Sequence, residues 1–207
     1  MFCNACPFEC AVDRSIRLGR CRATDEIEVA QAQLHYWEEP PISGTRGSGT
    51  IFFTHCNLSC KFCQNYDISQ EGYGHKVTPH HFEKIIFRLQ DRGAHNINLV
   101  SPTQYTLQLI PILEKVKPKL QIPIIWKSNA YEKVETLQRL KGLVDIYLPD
   151  LKYFSDELAQ KCSSAPNYFQ FATKAIMEMK RQVDKNRCDE YGILQKGLII
   201  RHLVLPG

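Results

Sequence analysis

From Thr50 onward, short apolar runs alternate with stretches whose apolar residues recur every three or four positions. This alternation restricts the chain to parallel β/α units, because a parallel neighbour is reached only through a crossover long enough to hold a helix. The expected strands cover residues 51–54, 96–101, 122–126, 144–148 and 197–205. Thr78-Pro79 supplies an N-cap and a first-turn proline for a helix with the buried stripe Phe82, Ile85, Ile86 and Leu89, stopped at Gly93. Further helices are expected over 104–117, kinked or split at Pro111, and over 132–141, 156–162 and 167–183. In α/β folds of this kind ligands gather at the C-terminal ends of the strands.

The segment Cys56-Asn-Leu-Ser-Cys60-Lys-Phe-Cys63 follows the first of these runs directly, which puts it on that face. Three thiols at this spacing can hold three irons of a [4Fe–4S] cluster and leave the fourth iron open. Cubanes that only carry electrons take four cysteines, so a three-cysteine loop suggests a coordination site for a small molecule. A zinc site short of one ligand, or small buried side chains, are the alternatives. Cys3, Cys6, Cys10 and Cys21 form a second candidate site. Four thiolates complete the shell of a structural zinc or of an auxiliary [4Fe–4S] cluster, and the spacing does not choose between them. Free thiols are the bland alternative there. Cys162 and Cys188 stand alone. Nine cysteines grouped in this way fit metal ligation in a reducing compartment better than a disulfide framework.

At 207 residues the chain is one domain with a small appendage, large enough to bury a core. The division expected is a Cys-rich N-terminal segment and approach loop over 1–49, then a core domain over 50–207. The ending Leu205-Pro206-Gly207, directly after a strand, reads as a C-terminally incomplete domain. Net charge is +4 with both signs interspersed, so no specific nucleic-acid surface is expected. With neither a secretory signal nor a membrane-length apolar run, the protein reads as cytoplasmic. The glycine-rich loop over 44–49 lacks the Gly-Lys-Ser/Thr ending of a phosphate cradle and reads as a flexible approach to a strand.

Several segments in this order carry a family likeness: Gln33-Leu-His-Tyr-Trp-Glu-Glu-Pro-Pro-Ile-Ser-Gly44, Gly47 to Phe53, the cysteine loop with Phe62, Val100-Ser-Pro-Thr103, Leu148-Pro-Asp-Leu-Lys-Tyr153 and Arg201 to Gly207. They resemble the radical S-adenosylmethionine (SAM) enzymes, and within them uncharacterised proteins related to pyruvate formate-lyase activating enzyme. The resemblance implies a partial (β/α)6 TIM-like barrel, here truncated before its last strand. It implies a [4Fe–4S] cluster on Cys56, Cys60 and Cys63, and SAM cleaved reductively to a 5′-deoxyadenosyl radical. Phe62 would lie close to the adenine. Ser101-Pro102-Thr103 stands where most of the family has Gly-Gly-Glu, so the Thr103 hydroxyl would serve the SAM amino group. Ser128 and Asn129 would face the ribose, while Asp150, Lys152 and Arg201 would handle the methionyl end. Asp150 and Lys152 forming only a surface pair, and His202 lying away from the site, are the bland expectations for those positions. His55 replaces a usual glycine and crowds the loop; Lys127 stands where the activating enzymes carry an aspartate. The implied partners are a flavodoxin or ferredoxin as electron donor and a glycyl radical enzyme as substrate. A non-catalytic iron–sulfur or zinc module, a simple electron carrier and an inactive fragment are the rival readings.

Overall fold

The computed structural model describes residues 2–204. Strand β1 (Ile27–His35) runs antiparallel to β2 (Ser48–Phe53) on one side and to β3 (His75–Val77) on the other. From β2 the sheet continues in parallel through β4 (Ile97–Val100), β5 (Ile124–Ser128) and β6 (Ile146–Pro149). A short strand β7 (Arg187–Cys188) returns antiparallel to β8 (Leu194–Leu198), and β8 completes the parallel ladder against β6. The spatial order is β3-β1-β2-β4-β5-β6-β8-β7, with five parallel strands at its centre. This is the α/β architecture expected, in partial-barrel form.

Several elements differ from expectation, the short antiparallel strands β3 and β7 among them. β1 was not anticipated, because a register shift between Val29 and Gln31 breaks the two-residue alternation that marks a strand. The last strand starts at Leu194, three residues earlier than expected, and its ladder ends at Leu198. Pairing resumes only as a single parallel bridge between Asp150 and Arg201. Residue 205, the last of the expected strand, lies outside the described residues.

The helices are α1 (Pro40–Ser43), α2 (Tyr66–Ser69), α3 (Pro79–Asp91), α4 (Thr106–Val116), α5 (Val134–Gln138), α6 (Asp156–Ser163) and α7 (Tyr168–Val183). Thr78 caps α3 by accepting the N–H of His81 at 3.2 Å, and Ser155 does the same for α6 with Leu158. Pro111 lies inside α4 without splitting it, on the exposed face. α5 is shorter than the 132–141 expected. Glu132 stays outside the helix because its carboxylate is drawn inward to Trp126 and Ser128.

Side-chain alternation along the parallel strands sorts the core into two faces. Trp126 and Tyr147 join Phe53, Leu99, Phe82, Leu113 and Met179 under the helices. Ile125, Ile146, Leu148 and Leu194 face the other way and pack with Ile42 of α1, which fills the concave side. The inner layer nearest the strand ends follows from the register: Phe52, Val100, Lys127 and Leu148 are successive neighbours. A charged side chain thus appears where the concave face opens.

Phe82 is fully buried with its ring 5.6 Å from that of Phe53. Phe82→Ala is expected to cost about 3–5 kcal/mol in urea unfolding. Met177→Ala, on the exposed side of α7, should cost less than about 0.5 kcal/mol. Equal costs would mean that α3 does not seat on the sheet through this stripe.

Candidate active site

A cavity of about 600 Å3 opens at the C-terminal ends of the parallel strands. Cys56, Cys60 and Cys63 all line it, together with Phe62. Each thiol has a polar neighbour. The Cys56 sulfur accepts the N–H of Leu58 at 3.4 Å and the Asn129 amide at 3.5 Å. Ser163 Oγ donates to Cys60 at 2.9 Å, and Cys63 lies 3.2 Å from Ser69 Oγ. Burial pushes the Cys56 thiol up to about 12, with Cys60 and Cys63 adding to the rise. Burial likewise raises Cys60, against the opposing hydrogen bond from Ser163. Burial thus disfavours the thiolates of Cys56 and Cys60 unless a cation compensates them.

The loop is fixed by groups that a helix leaves over. The carbonyls of Cys162 and Ser163, at the end of α6, accept the N–H groups of Lys61 (2.9 Å) and Ser59 (3.1 Å). Gln70 donates to the Leu58 carbonyl and Asn57 to the Tyr131 carbonyl. Three strand exits around the cavity carry left-handed non-glycine residues: His55 (φ 62°), Ser101 (φ 54°) and Ala130 (φ 60°). Such conformations concentrate where a surrounding structure over-determines them. The crowding expected of His55 is relieved by Gly72: a Cβ there would stand 2.5 Å from the imidazole. The ring lies 3.5 Å from Glu28 and is held below its ordinary pKa by burial.

A second group of side chains on the same cavity is ionic. Lys152 Nζ donates to Asp150 Oδ2 at 2.8 Å and Arg201 Nε to Asp150 Oδ1 at 2.8 Å. Burial opposes ionisation of Asp150, yet Lys152 and Arg201 outweigh it and hold the carboxyl below its ordinary value. Arg201 also reaches Glu39 at 3.3 Å and Glu38 at 3.7 Å, and Lys127 grips Glu38 at 2.5 and 2.7 Å. Three cations and three carboxylates thus balance. His202 lines the cavity as well, with Nδ1 2.6 Å from the Leu151 carbonyl.

Of the residues expected on SAM, Phe62, Ser101, Ser128, Asn129, Asp150, Lys152 and Arg201 line the cavity, and Thr103 does not. The Thr103 hydroxyl is buried and donates to Glu132 at 3.0 Å. Glu132 also accepts from Trp126 Nε1 (2.9 Å) and Ser128 Oγ (2.6 Å). Burial raises its carboxyl pKa, and these three donors oppose the rise. Asn129 donates to Asn57 at 2.7 Å, so it braces the cysteine loop. Sequence reasoning gave no role to Glu38, Lys127 or Glu132. Lys127 and Glu38 lie 89 positions apart, and the only available signal was a charged residue at an inward-facing strand position. Cys3, Cys6, Cys10 and Cys21 lie outside this cavity.

Residues 50–194 match the family model described as the radical SAM superfamily. An uncharacterized protein of Methanocaldococcus jannaschii is 34% identical over 214 residues, covering 99% of this chain and 57% of its own length. The chain belongs to the radical SAM superfamily. It spans little more than half of that curated relative. The crystal structure of methylornithine synthase superposes with a TM-score of 0.51 at 17% identity, over 72% of this chain and 41% of the synthase, which is a likeness of fold.

Asp150 contributes stability that is fully present above the ordinary carboxylate range and is lost as pH falls through its lowered pKa. Asp150→Asn is expected to cost about 3 kcal/mol near neutral pH by leaving Lys152 and Arg201 without their counter-charge. In urea titrations repeated down to about pH 2, the variant should lose less further stability than the parent. Parallel acid limbs would show that Asp150 titrates in the folded chain as it does unfolded. Separately, Gly72→Ala should destabilise by about 1–3 kcal/mol. Only the steric part of that cost should vanish in the His55→Gly background, because a φ of 75° at residue 72 strains alanine in either case. A double-mutant cycle with no coupling would remove the steric account.

Proposed function

We propose that the chain is a radical SAM iron–sulfur enzyme in which Cys56, Cys60 and Cys63 hold a [4Fe–4S] cluster with one open iron for SAM. The observation that carries this reading is one cavity lined by three thiols and by Asp150, Lys152 and Arg201. The donor set suits the group. Three sulfurs, each near a polar group, match three irons, and the metal's positive charge would offset the burial that raises the Cys56 and Cys60 thiols. When bound and reduced, cluster and SAM together supply one-electron cleavage of the sulfonium and removal of a hydrogen atom from a substrate.

The chain's own residues select and orient. The methionyl end of SAM carries an ammonium and a carboxylate. Asp150 can accept from the first, while Lys152 and Arg201 donate to the second. Because the resident network is already neutral, a zwitterion exchanges partners with it without leaving a buried net charge. Phe62 offers an apolar ring to the adenine. Ser128 and Asn129 already have partners in Glu132 and Asn57, so their part is to hold the wall in shape. With Thr103 turned to Glu132, the ammonium falls to Asp150 and the Ser101 backbone.

We extend the reading to glycyl-radical installation on a partner enzyme in the cytoplasm, with a flavodoxin or ferredoxin as electron donor. What supports it is the Asp150-Leu-Lys152 likeness to the activating enzymes and Trp37 on the cavity wall, 88% exposed and free to meet a protein surface. Among the described residues no helix is long and apolar enough to cross a membrane.

The test is EPR of the anaerobically reconstituted, dithionite-reduced protein with and without SAM, alongside assay of 5′-deoxyadenosine and methionine. A cluster signal that SAM perturbs is expected. Lys152→Ala with Arg201→Ala should weaken SAM binding by about 10- to 100-fold while iron content is kept, as loss of charge-assisted hydrogen bonds predicts. A cluster indifferent to SAM would leave an electron carrier or an inactive fragment, and zinc in place of iron would end the radical reading.

A further inference from the structure

The cysteines of residues 2–26 remain unused by this function. Among the described residues this segment forms no helix and no strand beyond one bridge, between Phe2 and Asp13. Its buried apolar side chains are Ala5 and Ala23 alone, while Phe2, Ile16 and Leu18 are exposed. Twenty-five residues with so little core need another source of cohesion, and metal ligation is the common one.

The backbone brings the four thiols together. Cys3 pairs with Ala11 and Val12 through two 2.8 Å hydrogen bonds, which sets it beside Cys10. Cys10 in turn abuts the residues preceding Cys21: its sulfur accepts the Arg20 N–H at 3.2 Å, and a Cβ on Gly19 would touch that sulfur at 3.1 Å. Cys6 lies within electrostatic reach of the other three. Burial chiefly raises its thiol, to about 12, with Cys21, Cys3 and Cys10 adding. Burial raises the Cys21 thiol too, opposed in part by the Arg14 guanidinium. Arg14 is itself buried and donates to the Ala23 carbonyl at 2.9 Å.

The sulfurs are also prepared alike. The Cys10 sulfur accepts the backbone N–H of Arg20, as the Cys56 sulfur accepts that of Leu58. Backbone N–H groups aimed at sulfur stabilise the thiolate of a bound centre and tune its potential. Four thiolates complete the shell of a cubane as they do that of a zinc ion. A cubane seats each sulfur on a different iron, whereas zinc draws all of them to about 2.3 Å from one point.

Placement supplies a use. Phe8 meets the ring of Tyr131 edge-on at 5.4 Å, and Cys6 raises the Tyr131 phenol after burial has done so. The Tyr131 carbonyl accepts from Asn57, the residue after Cys56. The two cysteine groups therefore flank one aromatic side chain.

We propose that Cys3, Cys6, Cys10 and Cys21 bind a second [4Fe–4S] cluster, closed to exogenous ligands and separated from the SAM-binding loop by Tyr131. The experiment is iron and acid-labile sulfide analysis with EPR on the full chain, reconstituted anaerobically, as the parent and as Cys6→Ser with Cys21→Ser. Iron should fall from about eight to about four per chain in that variant, and the signal that SAM perturbs should survive. Should the double variant not fold, Cys56→Ser/Cys60→Ser/Cys63→Ser gives the reciprocal measurement: about four irons retained, with a spectrum indifferent to SAM. Equal iron in parent and N-terminal variant, or a zinc ion in place of the second cluster, overturns the proposal. Because iron is counted at each group separately, loss of the SAM response alone would count against the proposed function and leave this site standing.

Discussion

The Asp150 carboxylate is the tie on which the open end of this sheet depends. It leaves β6 at the point where regular pairing with β8 has already ended, and the ladder is carried on by Asp150 and Arg201. The Arg201 N–H reaches the Pro149 carbonyl at 2.9 Å, the Leu151 N–H reaches Arg201 at 2.9 Å, and the guanidinium closes on the carboxylate. Through Arg201 the same carboxylate is linked to Glu38 and Glu39, which lead into α1. Segments more than a hundred residues apart are thus joined by charge where hydrophobic packing has given out. Such a pair stabilises only if both partners are present, because either one alone is a buried uncompensated charge. The zwitterion proposed for this cavity would meet walls already built from exchangeable ion pairs.

The cysteine loop is held by the opposite means. Burial raises the Cys56 and Cys60 thiols, and the loop backbone hangs from carbonyls at the end of α6 and from side-chain amides. Left-handed residues at 55, 101 and 130 turn the chain sharply at three strand exits, so the cavity floor is set by backbone conformation before any ligand arrives. Gly72 shows how local such compensation is: one missing Cβ makes room for the imidazole that replaces a smaller residue.

Features carried by local pattern were legible from sequence. The Phe82 stripe, the Thr78 cap, the three-cysteine loop and the two-residue spacing of Asp150 and Lys152 each depend on neighbours within a turn or a strand. The illegible ones depend on long-range partners or on broken periodicity. Lys127 and Glu38 meet across 89 positions, and nothing near either residue announces the other. Thr103 was expected in the cavity because Ser101-Pro102-Thr103 stands where most of the family has Gly-Gly-Glu. Ser101 instead adopts φ 54°, a 3-10 turn begins at Thr103, and the hydroxyl is carried to Glu132. Glu132 read as the first turn of a helix because its buried partners, Trp126 and Ser128, belong to the preceding strand. β1 escaped notice through its bulge.

These same constraints bear on how the two cysteine groups relate. Tyr131 is fixed from several sides: its hydroxyl donates to the Pro166 carbonyl, its ring stacks on Tyr168 at 6.0 Å, and its carbonyl holds Asn57. Tyr168 in turn donates to the Asn129 and Asp150 carbonyls. One rigid aromatic pair therefore contacts the N-terminal segment through Phe8, the cysteine loop through Asn57, and the ionic group through Asp150. A shift of the N-terminal segment cannot pass unnoticed at the cavity, because close-packed rings transmit displacement instead of absorbing it. The second cluster proposed above would therefore order a segment that packs, through Phe8, against the aromatic pair behind the cavity.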